Sequence, residues 1–386
     1  MTQNAAALVP EESVPQRPAA DEQGRYDAIL LASFGGPDGQ DDVIPFLRNV
    51  TRGKGIPDER LEEVATHYRA NGGVSPINQQ NRDLKAALEA KLAERGVDLP
   101  IVWGNRNWAP YFADAFRAMR KAGHRKVLVL VTSAYAGYSS NDQYLEDFER
   151  VLGETGLDEE LKLVKVRQFF YDKAFTRPNE EFLAEGIRDV RAQLHAVGRA
   201  EGRIKVFFVT HSIPTAVAER QGPVRIREHF GTDVYTAQHR AIADHLMHTV
   251  PEAEGLEHQV VFQSRSGDPR TPWLEPDIND QIEEDAEAED PALDGVVVVP
   301  FGFISDHMEV IWDLDTEAKE TAEAKGLAFH RAATTGVHPE FVSGLVDILG
   351  EYVTDDSGAP LSSGEQTIPG DWSDLTTAGG WSAPPH

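Results

Sequence analysis

The sequence predicts an α/β protein of two Rossmann-like lobes, each a parallel sheet flanked by helices, with an active-site cleft between them. Three observations predict it. Short apolar runs alternate with segments of helical period along residues 25–353. The strand runs are apolar at successive positions, as in "ILLASF" and "GVVVVP", so both faces need covering by helices. The alternation also runs twice, with a seam near residues 170–180.

Each strand candidate is a run rich in Val, Ile, Leu and Phe that is closed by polar or turn-forming residues. In order they are 27–34, 100–104, 126–132, 161–166, 204–210, 258–263, 295–300 and 327–331. Helical periodicity places helices over 58–70, 77–95, 110–122, 141–153, 179–198, 234–248, 305–325 and 338–352. Residues 25–175 form the expected N-terminal lobe and 176–353 the C-terminal lobe. The Ala-, Pro- and Glu-rich stretch 1–24 reads as a flexible leader. Residues 354–386, rich in Ser, Gly, Pro and acids, read as a disordered acidic tail in which Trp372 and Trp381 offer a docking feature.

Composition narrows the chemistry. There is no cysteine among 386 residues, which excludes disulfides, thiolate metal sites, a cysteine nucleophile and a cysteine-ligated iron–sulfur cluster. With 37 basic and 64 acidic residues, the formal charge of −27 repels nucleic acid and anionic membranes. The N-terminus lacks the order of a secretory signal, and no run approaches a membrane span, so a cytoplasmic protein with no integral membrane association is expected.

In folds of this class ligands sit beyond the carboxyl ends of the strands. Four such ends carry polar groups: "SFGGP", "TSAYAGYSSNDQY", "THSIP" and "FGFISDHME". His211 directly follows an apolar strand, where an imidazole can ligate a metal, accept a proton, or simply bond its own turn. After the four valines 296–299 the chain enters a helix carrying Glu309, Asp313 and Glu317 at spacings of four. Such a row is either a wetted outer face or a path for a cation. Met308, Ile311 and Trp312 supply a complementary apolar side, and His307 adds a nitrogen. Arg52 and Lys54 lie in a glycine-flanked loop that is either a carboxylate clamp or a solvated turn. Ser75, before Pro76, is a natural helix cap that can also reach a ligand. Neither "SFGGPDG" nor "TRGKGIP" is a Walker loop or dinucleotide fingerprint.

Taken in order, "LLASFGGP", "YRANGGVSPINQQ", "THSIP", "FQSRSGDPRTPWLEPD" and "VVVVPFGFISDHMEVIWDLD" resemble the ferrochelatases over roughly residues 26–350, most closely the actinobacterial coproporphyrin III branch. The resemblance implies insertion of ferrous iron into coproporphyrin III within haem biosynthesis, giving the metalloporphyrin and two protons. It implies that His211 and Glu309 are the catalytic, metal-contacting pair. It puts Ser75, Tyr144 and Phe34 at porphyrin-contacting positions, Arg52 near a propionate-binding loop, and Asp313 and Glu317 on a metal path along a wide-wound helix. Porphyrin and ferrous iron are then substrates, with no permanently bound cofactor. A monomer is expected, with transient contact to a downstream haem-pathway enzyme.

The sequence departs from the family pattern in places. Phe34 stands where some relatives have an iron-ligating tyrosine. Asn141 stands where some carry a cluster cysteine, and His67 partly replaces a basic residue. A chelatase for protoporphyrin IX or another divalent metal, and a non-catalytic tetrapyrrole carrier, are the alternatives.

Overall fold

The computed structural model describes residues 25–368 except 54, 222–227, 229–230, 267–269 and 289–291. The leader 1–24, Lys54, Trp372 and Trp381 therefore lie outside the described residues. Two four-stranded parallel sheets form the frame. The first has β1 (Ala28–Ser33), β2 (Ile101–Asn105), β3 (Lys126–Val131) and β4 (Lys162–Lys165) in the order β2-β1-β3-β4. The second has β5 (Arg203–His211), β6 (Glu257–Gln263), β7 (Leu293–Val299) and β8 (Ala328–Arg331) in the order β6-β5-β7-β8. The matching orders realise the doubling expected from sequence. In each sheet the chain departs to one side after its first strand and returns on the other. The crevice between connections therefore opens at the ends of β1 and β3, and again at the ends of β5 and β7.

All residues of β1 are buried, as are Val296–Val299 of β7, because helices cover both faces of each sheet. In the N-terminal lobe α3 (Ile77–Glu94) packs Leu84, Leu88 and Leu92 onto one face of the sheet. The helices α4 (Phe112–Lys121) and α5 (Gln143–Thr155) pack Phe116 and Phe148 onto the other. One apolar core continues from Ile29 and Leu128 through α6 (Lys173–Ala196) to Phe208 and Val297, so the lobes share it. Gln238, wholly buried on the helix Val234–Thr249, closes the joint from the other side. Its amide accepts from Ala136 N at 2.9 Å and donates to Ala136 O at 3.0 Å.

Three expectations change. The helix expected from residue 179 begins at Lys173, capped by Asp172 accepting from Ala174 N at 3.0 Å. Pro178 lies inside this helix, where Asn179 Nδ2 bonds the Phe175 carbonyl at 2.8 Å. Helices absent from the expected set include Ile278–Glu287 and α1 (Val43–Val50), and α1 carries Pro45 in its first turn, where the missing N–H costs nothing. The tail expected to be disordered from residue 354 is held as far as 368. Lys173 N donates to Glu365 O at 2.6 Å, Thr367 N donates to Tyr171 O at 3.0 Å, and Ile368 is buried. Its polar composition conceals one apolar anchor and a set of backbone bonds.

Candidate active site

His211 is the last residue of β5, and the strand beside it, β7, delivers Glu309 through a tight turn. The turn can close because residue 302 is glycine. A Cβ there would lie 2.3 Å from Thr210 Oγ1, and the backbone of Gly302 instead donates to Val209 O at 3.0 Å. The consequence is that His211 Nε2 and Glu309 Oε2 stand 3.5 Å apart, at the crevice between β5 and β7. His307 Nδ1 lies 4.0 Å from the same oxygen.

The His211 ring is oriented from behind. Its Nδ1 bonds the carbonyl of Ser212, which assigns the proton of the neutral ring to Nδ1 and leaves the Nε2 lone pair on the Glu309 side. The Tyr235 hydroxyl donates to the backbone carbonyl of His211 at 3.1 Å and lies 2.7 Å from Thr210 Oγ1. Burial opposes a charged imidazole, but the hydrogen bond and charge of Glu309 outweigh it, so the pKa of His211 is raised. For His307 burial dominates over Glu309, and its pKa is lowered.

From Met308 the helix widens into a π-helix over Ile311–Ala318 and returns to α-geometry at Lys319–Ala324. A π turn takes more than four residues and an α turn fewer, so where the two windings follow one another the opposite drifts offset and side chains four apart stay closer to one line. Both flanks of the line are covered. Val310, Leu314, Ala318 and Ala322 pack into the C-terminal lobe, while Met308, Ile311 and Trp312 pack against α1 and α2 (Asp58–Ala70) of the N-terminal lobe. The amphipathic surface helix considered from the pattern is thus a helix wedged between the lobes. Glu309, Asp313 and Glu317 occupy the row between the two covered flanks.

Burial raises the Asp313 carboxyl to about 7, with Ser264 opposing and Glu309 and Glu317 adding to the rise. Glu317 accepts from Trp312 Nε1 at 2.8 Å, and the Trp312 ring stacks on His67 at 4.1 Å between centroids. His67 therefore serves as a stacking partner across the lobes. Arg331, at the end of β8, holds both Asp315 of the π-helix and Asp306 of the preceding turn.

The remaining candidates fall in different settings. Phe34 directly follows β1, is 39 % exposed and lies edge-on to Phe46, so an apolar ligand face can meet it. Arg52 is exposed, its guanidinium bonded to Asn49 Oδ1 at 2.6 Å, leaving donors for an anion. Ser75 is buried. Its N–H donates to Pro37 O at 2.9 Å, and a Cβ on Gly36 would come within 2.7 Å of its own Cβ, so it packs under the first-strand turn. Tyr144 is also buried, among Phe112 and Phe148, because α5 turns it inward. The Arg106 guanidinium lies 3.7 Å over its ring, so the expected ligand face of Tyr144 is covered in this structure.

Residues not singled out from sequence also gather here. Arg106 pairs with Asp147 at 2.6 Å and donates to Gln143 Oε1 at 3.1 Å. Gln263 and Ser264 fall at the opening of the stretch "FQSRSGDPRTPWLEPD", whereas Tyr235 and Arg331 carry no local motif. Only their places at strand ends or on neighbouring helices distinguish them. Among the described residues no cluster of three or more His, Cys, Asp or Glu forms a closed metal cage. A cation at His211 and Glu309 would have two protein ligands and open positions, suited to release rather than retention.

Comparison with known proteins agrees with this geometry. The ferrochelatase family model matches residues 26–352. A coproporphyrin III ferrochelatase of Leifsonia xyli is 51 % identical over 361 residues, covering 92 % of this chain and 90 % of that protein. One from Streptomyces coelicolor is 49 % identical, covering 87 % of this chain and 88 % of its own length. One from Tropheryma whipplei strain Twist is 45 % identical, covering 92 % and 88 %. With the paired His and Glu at a strand-end crevice and a family match over residues 26–352, the chain belongs to the ferrochelatase family.

Proposed function

We propose that the protein inserts ferrous iron into coproporphyrin III, giving Fe-coproporphyrin III and two protons in haem biosynthesis. The observation that carries this reading is the 3.5 Å approach of His211 Nε2 to Glu309 Oε2 at the crevice of the second sheet. Its substrate assignment is supported by the relatives named coproporphyrin III ferrochelatase.

The reaction is not a redox step. Two pyrrole N–H bonds break, bonds from the ring nitrogens to iron form, and the metal stays ferrous throughout. Each departing proton needs a base near neutral pH. His211 fits, with its Nε2 lone pair free of the Nδ1 proton and its proton affinity raised by Glu309. Glu309 offers a hard oxygen to the incoming cation and stabilises the imidazolium that forms. Asp313 and Glu317 continue the carboxylates outward as a path for the ion, and Arg52 offers its donors to a propionate. Phe34 cannot coordinate product iron, so it acts here as an apolar contact with the macrocycle.

Iron and porphyrin are substrates in this scheme, and no resident cofactor is needed. No helix among the described residues is long and apolar enough to cross a membrane. A cytoplasmic monomer that passes its product to a downstream enzyme is the accompanying reading.

The test is anaerobic metallation of coproporphyrin III and, separately, protoporphyrin IX, using wild type and His211→Ala. Multiple turnovers of coproporphyrin III, lost in His211→Ala while porphyrin binding persists, are expected. Preference for protoporphyrin IX would change the substrate, and binding without turnover in wild type would leave a carrier.

A further inference from the structure

Ser264 is the one non-glycine residue with positive φ among the described residues, at 59°. It directly follows β6, beside the end of β5. Left-handed backbone is unfavourable for a serine and survives where the surroundings impose it. Here the conformation brings its hydroxyl onto Asp313, where it donates to Oδ2. Gln263 Nε2 donates to the same oxygen at 3.2 Å and lies 3.2 Å from Ser264 Oγ. Gln263 is wholly buried and sits opposite His211 in the β5–β6 register, with its carbonyl accepting from Ser212 N at 2.8 Å. Its side-chain oxygen has no hydrogen-bond partner among the described residues. An unpaired buried acceptor is costly, so a donor is expected to meet it during function.

Both donors converge on Oδ2, and no bond to Oδ1 is made among the described residues. On the reading of this site as iron-inserting, we propose that Ser264 and Gln263 are positioning residues for iron delivery. They hold Asp313 by one oxygen and present two acceptors, Asp313 Oδ1 and Gln263 Oε1, to the water ligands of the arriving ferrous ion. The water of a hydrated cation is a strong donor, which suits a carboxylate and an amide oxygen placed just before the His211–Glu309 pair. The strain at Ser264 is stored where the ion is handed over.

The test is a double-mutant cycle on Ser264→Gly and Asp313→Ala, with initial rates taken against Fe²⁺ at saturating porphyrin and against porphyrin at saturating Fe²⁺. Glycine accepts the positive φ, so this variant keeps the backbone and loses only the hydroxyl. The KM for Fe²⁺ is expected to rise about tenfold, with kcat and the KM for porphyrin unchanged. In the Asp313→Ala background, Ser264→Gly should have no further effect. Ser264→Asn, which tolerates the same backbone and carries a donor, should recover part of the loss. An unchanged KM for Fe²⁺, or an effect that multiplies with Asp313→Ala, would overturn the inference alone. A wild type that binds porphyrin but metallates none would overturn the iron-insertion reading and this inference with it.

Discussion

Arg331 grips Asp315 with both arms of its guanidinium, Nε to Oδ1 and Nη2 to Oδ2, each at 2.7 Å. The same side chain reaches Asp306 at 3.1 Å, so one residue at the end of β8 ties the turn before Glu309 to the middle of the π-helix. The grip lies one residue row away from the acids of the site and holds them without touching them.

Arg331→Gln should therefore act on both stability and iron use. Loss of the fork leaves Asp306 and Asp315 without their shared cation. Since Asp315 keeps some solvent contact, the expected cost is about 2 kcal/mol, below that of breaking a fully buried pair. Arg331→Lys keeps the charge but not the two-pronged geometry and should recover only part. Denaturant midpoints check the first effect and the KM for Fe²⁺ the second. Midpoints equal to wild type would show that the clamp does not hold the turn.

Glu309→Gln removes the charge that holds the His211 pKa up, so that pKa should fall. A base must be unprotonated to accept a proton, and His211 is active above its pKa. The acid limb of the kcat profile should consequently move to lower pH, while the KM for Fe²⁺ rises. His211→Ala should lose the limb and lower turnover by about 10²–10⁴. A limb that stays in place in Glu309→Gln would assign the titration to another group.

Asp313 titrates at about 7 because burial disfavours its charge. Its carboxylate is present above that pH and lost below it. If the ion is drawn by this charge, the KM for Fe²⁺ should improve as pH rises through 7, and Asp313→Asn should be high and flat over the same range. A wild-type slope retained in Asp313→Asn would remove Asp313 from the path.

His239 is wholly buried, stacked on Tyr135 at 3.8 Å, and its Nδ1 bonds Tyr235 O at 2.7 Å. Burial lowers its pKa to about 3 from an ordinary 6.5. Between those values the unfolded chain binds a proton that the folded chain refuses, so stability falls with acidification through that window. The contribution is about 1.4 kcal/mol per pH unit below 6.5. His239→Asn should flatten the stability profile by one proton's worth. Urea unfolding at pH 7 and 5 measures it, and an unchanged slope would show that other groups set the acid limit.

The alternation of apolar strands with helical segments determined the fold class, because a strand apolar on both faces is stable only inside a layered α/β structure. Every expected strand is found, with ends shifted by no more than a few residues. The placement of His211 and Glu309 at the crevice was legible for the same reason: strand ends bring side chains there. What lay beyond the sequence was anything made by residues far apart in the chain. The wedging of the π-helix between lobes, the grip of Arg331 on Asp315, the inward turn of Tyr144 under Arg106, and the docking of residues 354–368 all depend on long-range packing. Local pattern reports which faces of an element are apolar. Only the tertiary structure decides which neighbours cover them, and hence which polar groups are left facing the cleft.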